Sequence, residues 1–139
     1  MKTRLEMLAV LLFMLGASLA MGDTAPNKPP YPAWVACPSF GVRGVLCGVD
    51  ALASDPEGNR IQYTFDWGDG SATTTTAFVA SGMRGFASHV WAQPGTYFVR
   101  VKVTDSLGAQ SVWSDPYWGK ITISDTRLFF LDPRDVEPA

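Results

Sequence analysis

The residues whose types could carry out hydrolysis are the single histidine, His89, and two nearby aspartates, Asp66 and Asp69. A Ser-His-Asp triad would need a serine at a nucleophile elbow, and no serine has that surrounding pattern. The two aspartates form the nearest pair to a glycosidase dyad. Both lie where a strand gives way to a turn, and aspartate at such a position ordinarily accepts backbone N–H bonds. We therefore predict that the chain is not an enzyme.

The two aspartates are positioned by one stretch, residues 61–71. Its first part alternates apolar and polar residues with a period of two, which is typical of a strand with one buried face. Its last part is Gly68-Asp69-Gly70-Ser71, which favours a turn. The apolar members of the strand are Ile61, Tyr63, Phe65 and Trp67.

The whole chain favours an antiparallel β-sandwich of about seven strands. It has 13 Gly and 10 Pro residues, and nothing between the strand candidates has helical period. Turn signals at regular spacing and alternating strands are the pattern of an Ig-like sandwich. The strands are predicted at residues 34–37, 45–51, 60–67, 73–79, 86–91 and 97–104, with a last strand split into 110–113 and 120–123.

Several motifs in order make residues 27–124 resemble a PKD domain. They are Asp55-Pro-Glu-Gly-Asn59, the WGDGS stretch at residues 67–71, Ser88-His89 and Pro94-Gly-Thr-Tyr97. The resemblance implies an Ig-like β-sandwich on a secreted or cell-surface protein. It also implies that His89 is structural, and Tyr97 resembles the tyrosine corner of such sandwiches. The predicted structural motif comprises Asp66, Trp67, Gly68, Asp69, Gly70, His89, Pro94, Gly95 and Tyr97.

The N-terminus has the pattern of a secretory signal peptide over residues 1–22. Lys2 and Arg4 precede a short apolar run, and small residues follow at the predicted cleavage site. The alternative is an uncleaved anchor, although the run is shorter than the roughly 20 residues needed to span a bilayer. We expect a Pro-rich linker at 23–30, the sandwich at 31–124 and a tail at 125–139. After cleavage we expect no stable membrane insertion.

The chain has two cysteines, Cys37 and Cys47, on either side of a turn-rich connection. In an oxidising compartment two neighbouring strands can bring such residues within bonding range. We predict a disulfide between them, and the alternative is two buried free thiols. A zinc site would need more ligands than two cysteines and one distant histidine.

A calcium ion is the one cofactor that the sequence suggests. The loop from Asp55 to Asn59 presents oxygen ligands, which hard cations prefer. Some PKD-like domains bind Ca²⁺ between the start of the domain and this loop, so the resemblance implies Asn27, Ser54 and Asp55 as ligands. The alternative is a plain solvated turn.

An aromatic cluster surrounds the break in the last predicted strand. Trp113, Tyr117 and Trp118 could stack on sugar rings or contact a protein partner if they are exposed. Alternatively, Trp113 and Trp118 cover the open end of the core. The sequence leaves both possibilities open.

These observations predict a secreted or cell-surface, non-enzymatic module for extracellular protein–protein interaction or adhesion. The alternative is a carbohydrate-binding accessory domain of an exported polysaccharide- or protein-degrading system. The 11 Lys and Arg residues are scattered singly and the formal net charge is −2, which argues against a nucleic-acid partner. The apolar tail segment Leu128–Leu131 is interpreted as an extra edge strand, an exposed partner-binding segment or a remnant of a longer protein.

Overall fold

The computed structural model describes residues 25–125. The predicted signal peptide and the apolar tail segment Leu128–Leu131 lie outside the described residues. Within them the fold is all β, with one short 3₁₀ helix, Pro116–Gly119. The strands are β1 Trp34–Ala36, β2 Phe40–Val42, β3 Cys47–Leu52, β4 Ile61–Asp66, β5 Thr74–Thr75, β6 Gly85–His89, β7 Gly95–Phe98, β8 Arg100–Asp105 and β9 Lys120–Ser124.

The strands form two layers, as the predicted sandwich requires. One layer has the order β1-β3-β6, with both pairings antiparallel. The other layer contains the sheets β2-β9-β7 and β5-β4-β8. These two sheets are continuous with each other, because only Val99 separates β7 from β8. One pairing departs from the antiparallel prediction, because β2 runs parallel to β9, with Phe40 opposite Thr122.

The core lies between the two layers and is built from the alternating residues of β4 and β8. Tyr63, Phe65 and Trp67 are at most 1% exposed, and Val101 and Val103 are completely buried. Burying each such apolar side chain contributes roughly 1.5–3 kcal/mol. The alternation in the sequence therefore predicted the buried face of both strands.

Two predicted segments differ from the structure. The strand expected at 73–79 is reduced to Thr74–Thr75, because the Thr76 hydroxyl accepts the Tyr63 N–H and thereby interrupts the ladder. Pairing resumes only as an isolated bridge between Ile61 and Val79. The connection at 38–44 was expected to be a turn, yet it contains β2, which forms by pairing with the distant β9.

Of the two halves predicted for the last strand, only the second forms a strand, β9, whereas residues 110–113 contribute a single isolated bridge at Gln110, and two serines explain why. The Ser111 hydroxyl accepts the Val103 N–H and the Ser114 hydroxyl accepts the Val101 N–H, both at 3.0 Å. These side chains replace backbone carbonyls, so residues 110–115 follow β8 without forming a regular strand. The 3₁₀ helix follows, and Gly119 O accepts the Val99 N–H at 2.9 Å. The break thus lifts residues 116–118 off the sheet.

Candidate binding surface

The turn after β4 is held by its two aspartates. Oδ1 of Asp66 accepts the Gly68 N–H at 3.0 Å, and Oδ2 accepts from Arg100 at 2.6 Å. Oδ1 of Asp69 accepts both the N–H and the hydroxyl of Ser71, at 3.0 and 2.6 Å. Each carboxylate therefore stabilises the turn by accepting a hydrogen bond from the backbone N–H two residues later in the chain.

His89 joins this turn to the opposite layer. Its Nε2 lies 2.7 Å from Oδ2 of Asp69. Its ring stacks on Trp67 with centroids 4.8 Å apart, and the Trp91 ring meets it edge-on at the same distance. The structure thus brings β4 and the end of β6 together through one histidine.

The Pro94-Gly95 turn brings Tyr97 into the same cluster. The Tyr97 hydroxyl donates to the Gln93 carbonyl at 2.9 Å, which is the geometry of a tyrosine corner. Its ring stacks on Trp91 at a centroid distance of 5.9 Å. Asp69, His89, Trp67 and Tyr97 of the predicted motif are thus joined through Trp91 in one contact network.

Several groups perturb the pKa of the Asp69 carboxyl. Burial raises it, but hydrogen bonds from the Ser71 hydroxyl, from His89 and from the Ser71 N–H outweigh burial and lower the pKa to about 2. Asp69 is thus an ionised acceptor that both neighbours hold in place.

The same geometry does not support nucleophilic catalysis at this turn. In a catalytic triad the histidine lies between the serine and the aspartate, so that it can take the serine proton. Here the Asp69 carboxylate lies between Ser71 and His89, and each donates to it. His89 is therefore not hydrogen-bonded to the serine that it would have to activate.

The predicted aromatic cluster divides into one covered ring and two exposed rings. Trp113 is half-buried, and the charged groups of Arg100 and Lys102 lie 5.2 and 5.1 Å from its ring centroid. These are cation–π distances. Tyr117 is 76% exposed and Trp118 is 50% exposed. Trp113 is therefore less available to a partner than Tyr117 and Trp118.

The 3₁₀ helix presents Tyr117 and Trp118. Asp115 caps it by accepting the Tyr117 N–H at 2.9 Å, and Pro116 occupies the first turn. The Tyr117 ring packs edge-on against Phe98 at 6.2 Å. These contacts orient the two rings outward.

Three shallow hollows adjoin Trp118, with volumes of about 570, 460 and 330 Å³. The first includes Trp113 and Tyr117, and the second includes two further exposed rings, Tyr31 and Trp34. We call Tyr31, Trp34, Tyr117 and Trp118 the aromatic surface.

The predicted calcium loop contains a buried carboxylate. Oδ1 of Asp55 accepts the N–H groups of Glu57 and Asn59 at 3.0 and 2.9 Å. Oδ2 is buried, and no hydrogen-bond partner for it exists among residues 25–125. Such an oxygen is costly in a folded protein unless something compensates its charge.

Asn27 lies in this network, but Ser54 is exposed on its margin. Asn59 Nδ2 donates to Asn27 Oδ1 at 2.9 Å, and Asn27 Nδ2 donates to Asp105 Oδ2 at 2.7 Å. Asp105 is buried, and burial raises the pKa of its carboxyl. The hydrogen bonds from Asn27 and from the N–H groups of residues 107–109 outweigh this effect, so the pKa is lowered. The Ser54 carbonyl accepts the Tyr31 N–H instead.

A PKD domain family model matches residues 27–116, which is more than half of the chain. The chain belongs to the PKD domain family. Among solved structures, it is similar to the PKD domain of an M14-like peptidase from Thermoplasmatales archaeon SCGC AB-540-F20. That match has 32% identity and a TM-score of 0.57, and covers 73% of this chain and 99% of the other. No curated protein matches the chain.

The predicted disulfide is absent from this PKD domain, where Cys37 and Cys47 are free thiols. Extending the β1–β3 register by one pair would place Cys37 opposite Val49, so Cys47 is diagonal to it rather than opposite. The Cys47 sulfur lies beside Gly41 of β2 instead. Burial, with a smaller contribution from Cys47, raises the pKa of Cys37 to about 11, so its thiol stays protonated.

The sequence-based candidates did not include Tyr31, Trp34 or Asp105. Trp34 lies in the first predicted strand, and its position next to buried Val35 already implied an outward side chain. Asp105 follows the predicted strand at 97–104, and only the folded structure places it beside Asn27.

Two further findings concern the described part of the domain. Across residues 25–125, no helix has the length and apolar character needed to cross a bilayer. In the same region, no three His, Cys, Asp or Glu side chains gather closely enough to hold a metal ion.

Proposed function

We propose that this PKD domain is a non-enzymatic module of a secreted or cell-surface protein, and that it binds an extracellular protein through the aromatic surface. The observation that carries the proposal is the exposure of Trp118 between hollows that contain the other three rings. Tyrosine and tryptophan are the side chains that most often dominate binding energy at protein interfaces. Adhesion through such a surface is the proposed role.

The composition of the surrounding hollows supports a protein partner. Asp115 lines the first and Lys120 lines the third, so charged groups of both signs surround the rings. An apolar centre with a polar rim is the usual organisation of a protein interface. The peptidase that carries the similar PKD domain supports an accessory role beside another domain.

The proposal can be tested on intact cells of the producing organism. Labelled domain should bind them saturably, and prior protease treatment of the cells should abolish binding. Trp118→Ala and Tyr117→Ala should each weaken binding at least about tenfold, as removal of an interface hot spot does. Leu107→Ala is the matched control, because Leu107 is exposed at the β8 hairpin and lines none of the three hollows. Equal binding by all variants would refute the proposal.

Glycan binding is the second candidate, and the hollow beside Tyr31, Trp34 and Trp118 favours it. No charged side chain lines this hollow, and uncharged hollows with exposed rings suit the apolar faces of sugars. Under this alternative, protease treatment would leave cell binding intact, and purified polysaccharide would compete for it. Trp34→Ala would then weaken binding more than Tyr117→Ala.

We further propose that the domain start and the Asp55 loop hold Ca²⁺. Oδ2 of Asp55 is a buried carboxylate oxygen in need of a positive neighbour, and the residues fit a hard cation in this respect. Asn27 would contribute its side-chain oxygen after exchanging its bond with Asn59, and Ser54 would contribute from the margin. The ion would compensate the negative charge of Asp55 and would hold the loop from Asp55 to Asn59 against the start of the domain at Asn27.

A further inference from the structure

The outer face of the β1-β3-β6 sheet carries a second apolar patch, separate from the rings at Trp118. On β3 and β6, residues of one parity point into the core, and those of the other point outward. Cys47 pairs with His89, so extending the ladder by one pair places Leu46 opposite Val90. The Phe86 ring lies over Gly48, between Leu46 and Asp50 along the outer face of β3. We call Leu46, Phe86 and Val90 the outer patch.

The outer patch is exposed to a degree that is unusual for such side chains on adjacent strands. Leu46 is 65% exposed, Phe86 61% and Val90 42%. Contiguous apolar side chains on a soluble domain generally mark a surface that something covers. The Phe86 ring covers the space that a side chain at Gly48 would fill, so the ring itself extends the apolar surface toward Leu46.

The described chain ends beside this patch. Asp125, directly after β9, forms an ion pair with Arg43, whose Nε lies 3.0 Å from Oδ1. The next residue, Gly44, donates its N–H to the carbonyl of Trp91 at 3.0 Å. Trp91 follows Val90 in the chain. Asp125, the last described residue, is therefore linked through Arg43 and Gly44 to Trp91, which adjoins Val90 of the outer patch.

We propose that the tail segment Leu128–Leu131, Leu-Phe-Phe-Leu, docks on the outer patch of its own chain. An extended residue spans at most about 3.3–3.6 Å, so Leu128 can lie up to about 10 Å from Asp125 and Leu131 up to about 20 Å. The segment follows Asp125 after only two residues, so it begins on the side of the domain that Arg43 and Gly44 link to the patch.

The composition of the tail supports this occupant over a foreign partner. Four consecutive apolar residues match a patch of three apolar side chains, and charged residues, Arg127 and Asp132, border the segment on both sides. Because the segment is tethered next to the patch, its effective local concentration is high. A covalently linked apolar segment therefore has an advantage over any free partner of similar affinity.

A double-mutant cycle in the full-length chain tests the proposal. The tail variant is Phe129→Ser with Phe130→Ser, and the patch variant is Phe86→Ser. Each should lower the thermal midpoint by several degrees, as loss of an apolar contact does in a domain of this size. With Phe86→Ser already present, the tail substitutions should cause little further loss. Leu107→Ser, on an exposed hairpin elsewhere, is the control patch variant and should leave the effect of the tail substitutions intact.

Two readouts decide whether the contact exists and whether it is intramolecular. Nuclear Overhauser contacts between the rings of Phe129 or Phe130 and the methyl groups of Leu46 or Val90 should be present. Sedimentation should show a monomer at the same concentration. Additive midpoint losses without such contacts would overturn the proposal. The proposal would also be overturned if the coupling between the tail and patch substitutions disappeared when the protein is diluted. In that case the tail of a second copy would cover the patch.

Discussion

Nε2 of His89 lies 2.7 Å from Oδ2 of Asp69, and this contact joins the turn after β4 to the end of β6. The Asp69 side chain is 17% exposed, and so is that of His89. A charge-assisted hydrogen bond in a largely covered position is stronger than one on an open surface. The contact therefore stabilises the packing of the two layers as well as the turn.

Replacing Asp69 with Ala should lower the free energy of unfolding by about 1–2 kcal/mol. The substitution removes the acceptor for Ser71 and His89 together. Urea denaturation of the two proteins would measure the difference. Asp125→Ala is the matched control, because Asp125 is exposed and should lose well under 1 kcal/mol. A loss no larger than that of the control would contradict the structural role.

The pH dependence of stability should carry the signature of Asp69. Its pKa is lowered from 3.8 to about 2 by folding, so the unfolded state binds the proton more readily. The contribution of the ionised carboxylate is therefore fully present above about pH 4 and disappears as the pH falls to about 2. The stability difference between the parent and Asp69→Asn, measured from pH 6 to pH 2, should shrink over this window. A constant difference would contradict the assignment.

Trp67→Ala should cost more than Asp69→Ala, about 3–5 kcal/mol. Trp67 is buried, stacks on Phe65 and His89, and meets Trp91 edge-on at 6.0 Å. Removing it leaves a cavity beside these three rings. Denaturant titration gives the order of the two losses, and a smaller loss for Trp67→Ala would mean that the cluster collapses around the cavity.

Gly119→Ala should destabilise the domain and disturb the aromatic surface together. A Cβ at Gly119 would lie 1.9 Å from the Val99 carbonyl oxygen, and backbone cannot move aside cheaply. We expect a loss of about 1–3 kcal/mol. Gly48→Ala is the control, since its Cβ would meet only the exposed Phe86 ring, which can turn away. Thermal melts would compare them, and equal losses would show that the 3₁₀ helix adapts.

Saturating Ca²⁺ should raise the thermal midpoint by mass action if the Asp55 loop binds it. Asp55→Asn should remove that increase, whereas Asp125→Asn should preserve it. Differential scanning calorimetry with Ca²⁺ and with a chelator measures the effect. Identical midpoints in the two conditions would establish the loop as a plain turn.

The parts of the fold that were predictable depend on local pattern. Alternation fixed the buried faces of β4 and β8, because a period of two directly sets which side chains enter the core. β2 was not predictable, since Phe40-Gly41-Val42 lies among turn formers and becomes a strand only by pairing with β9. Its conformation is a tertiary effect.

The site was predictable to a similar degree. The position of Asp66, Asp69 and His89 in the motif was enough to predict a structural role for them. The hydrogen-bond partners of the Asp55 carboxylate could not be predicted in this way. Its buried Oδ2 depends on how the loop folds against the domain start, which no local pattern encodes. The disulfide was wrong for a related reason, because register rather than proximity in sequence decides which residues face each other.

The parallel pairing of β2 with β9 determines how the domain would respond to mechanical force. Because β1 precedes β2, a pull on both ends of the domain first detaches β1 from β3 and then acts on the start of β2 and on the end of β9. In a parallel pair these points lie at opposite ends, so the hydrogen bonds between the strands are loaded together in shear. An antiparallel hairpin pulled at its open end would instead break them one at a time. Single-molecule stretching should therefore show one abrupt rupture of the β2–β9 pair, at a force that falls when Gly41→Pro removes a backbone donor from β2.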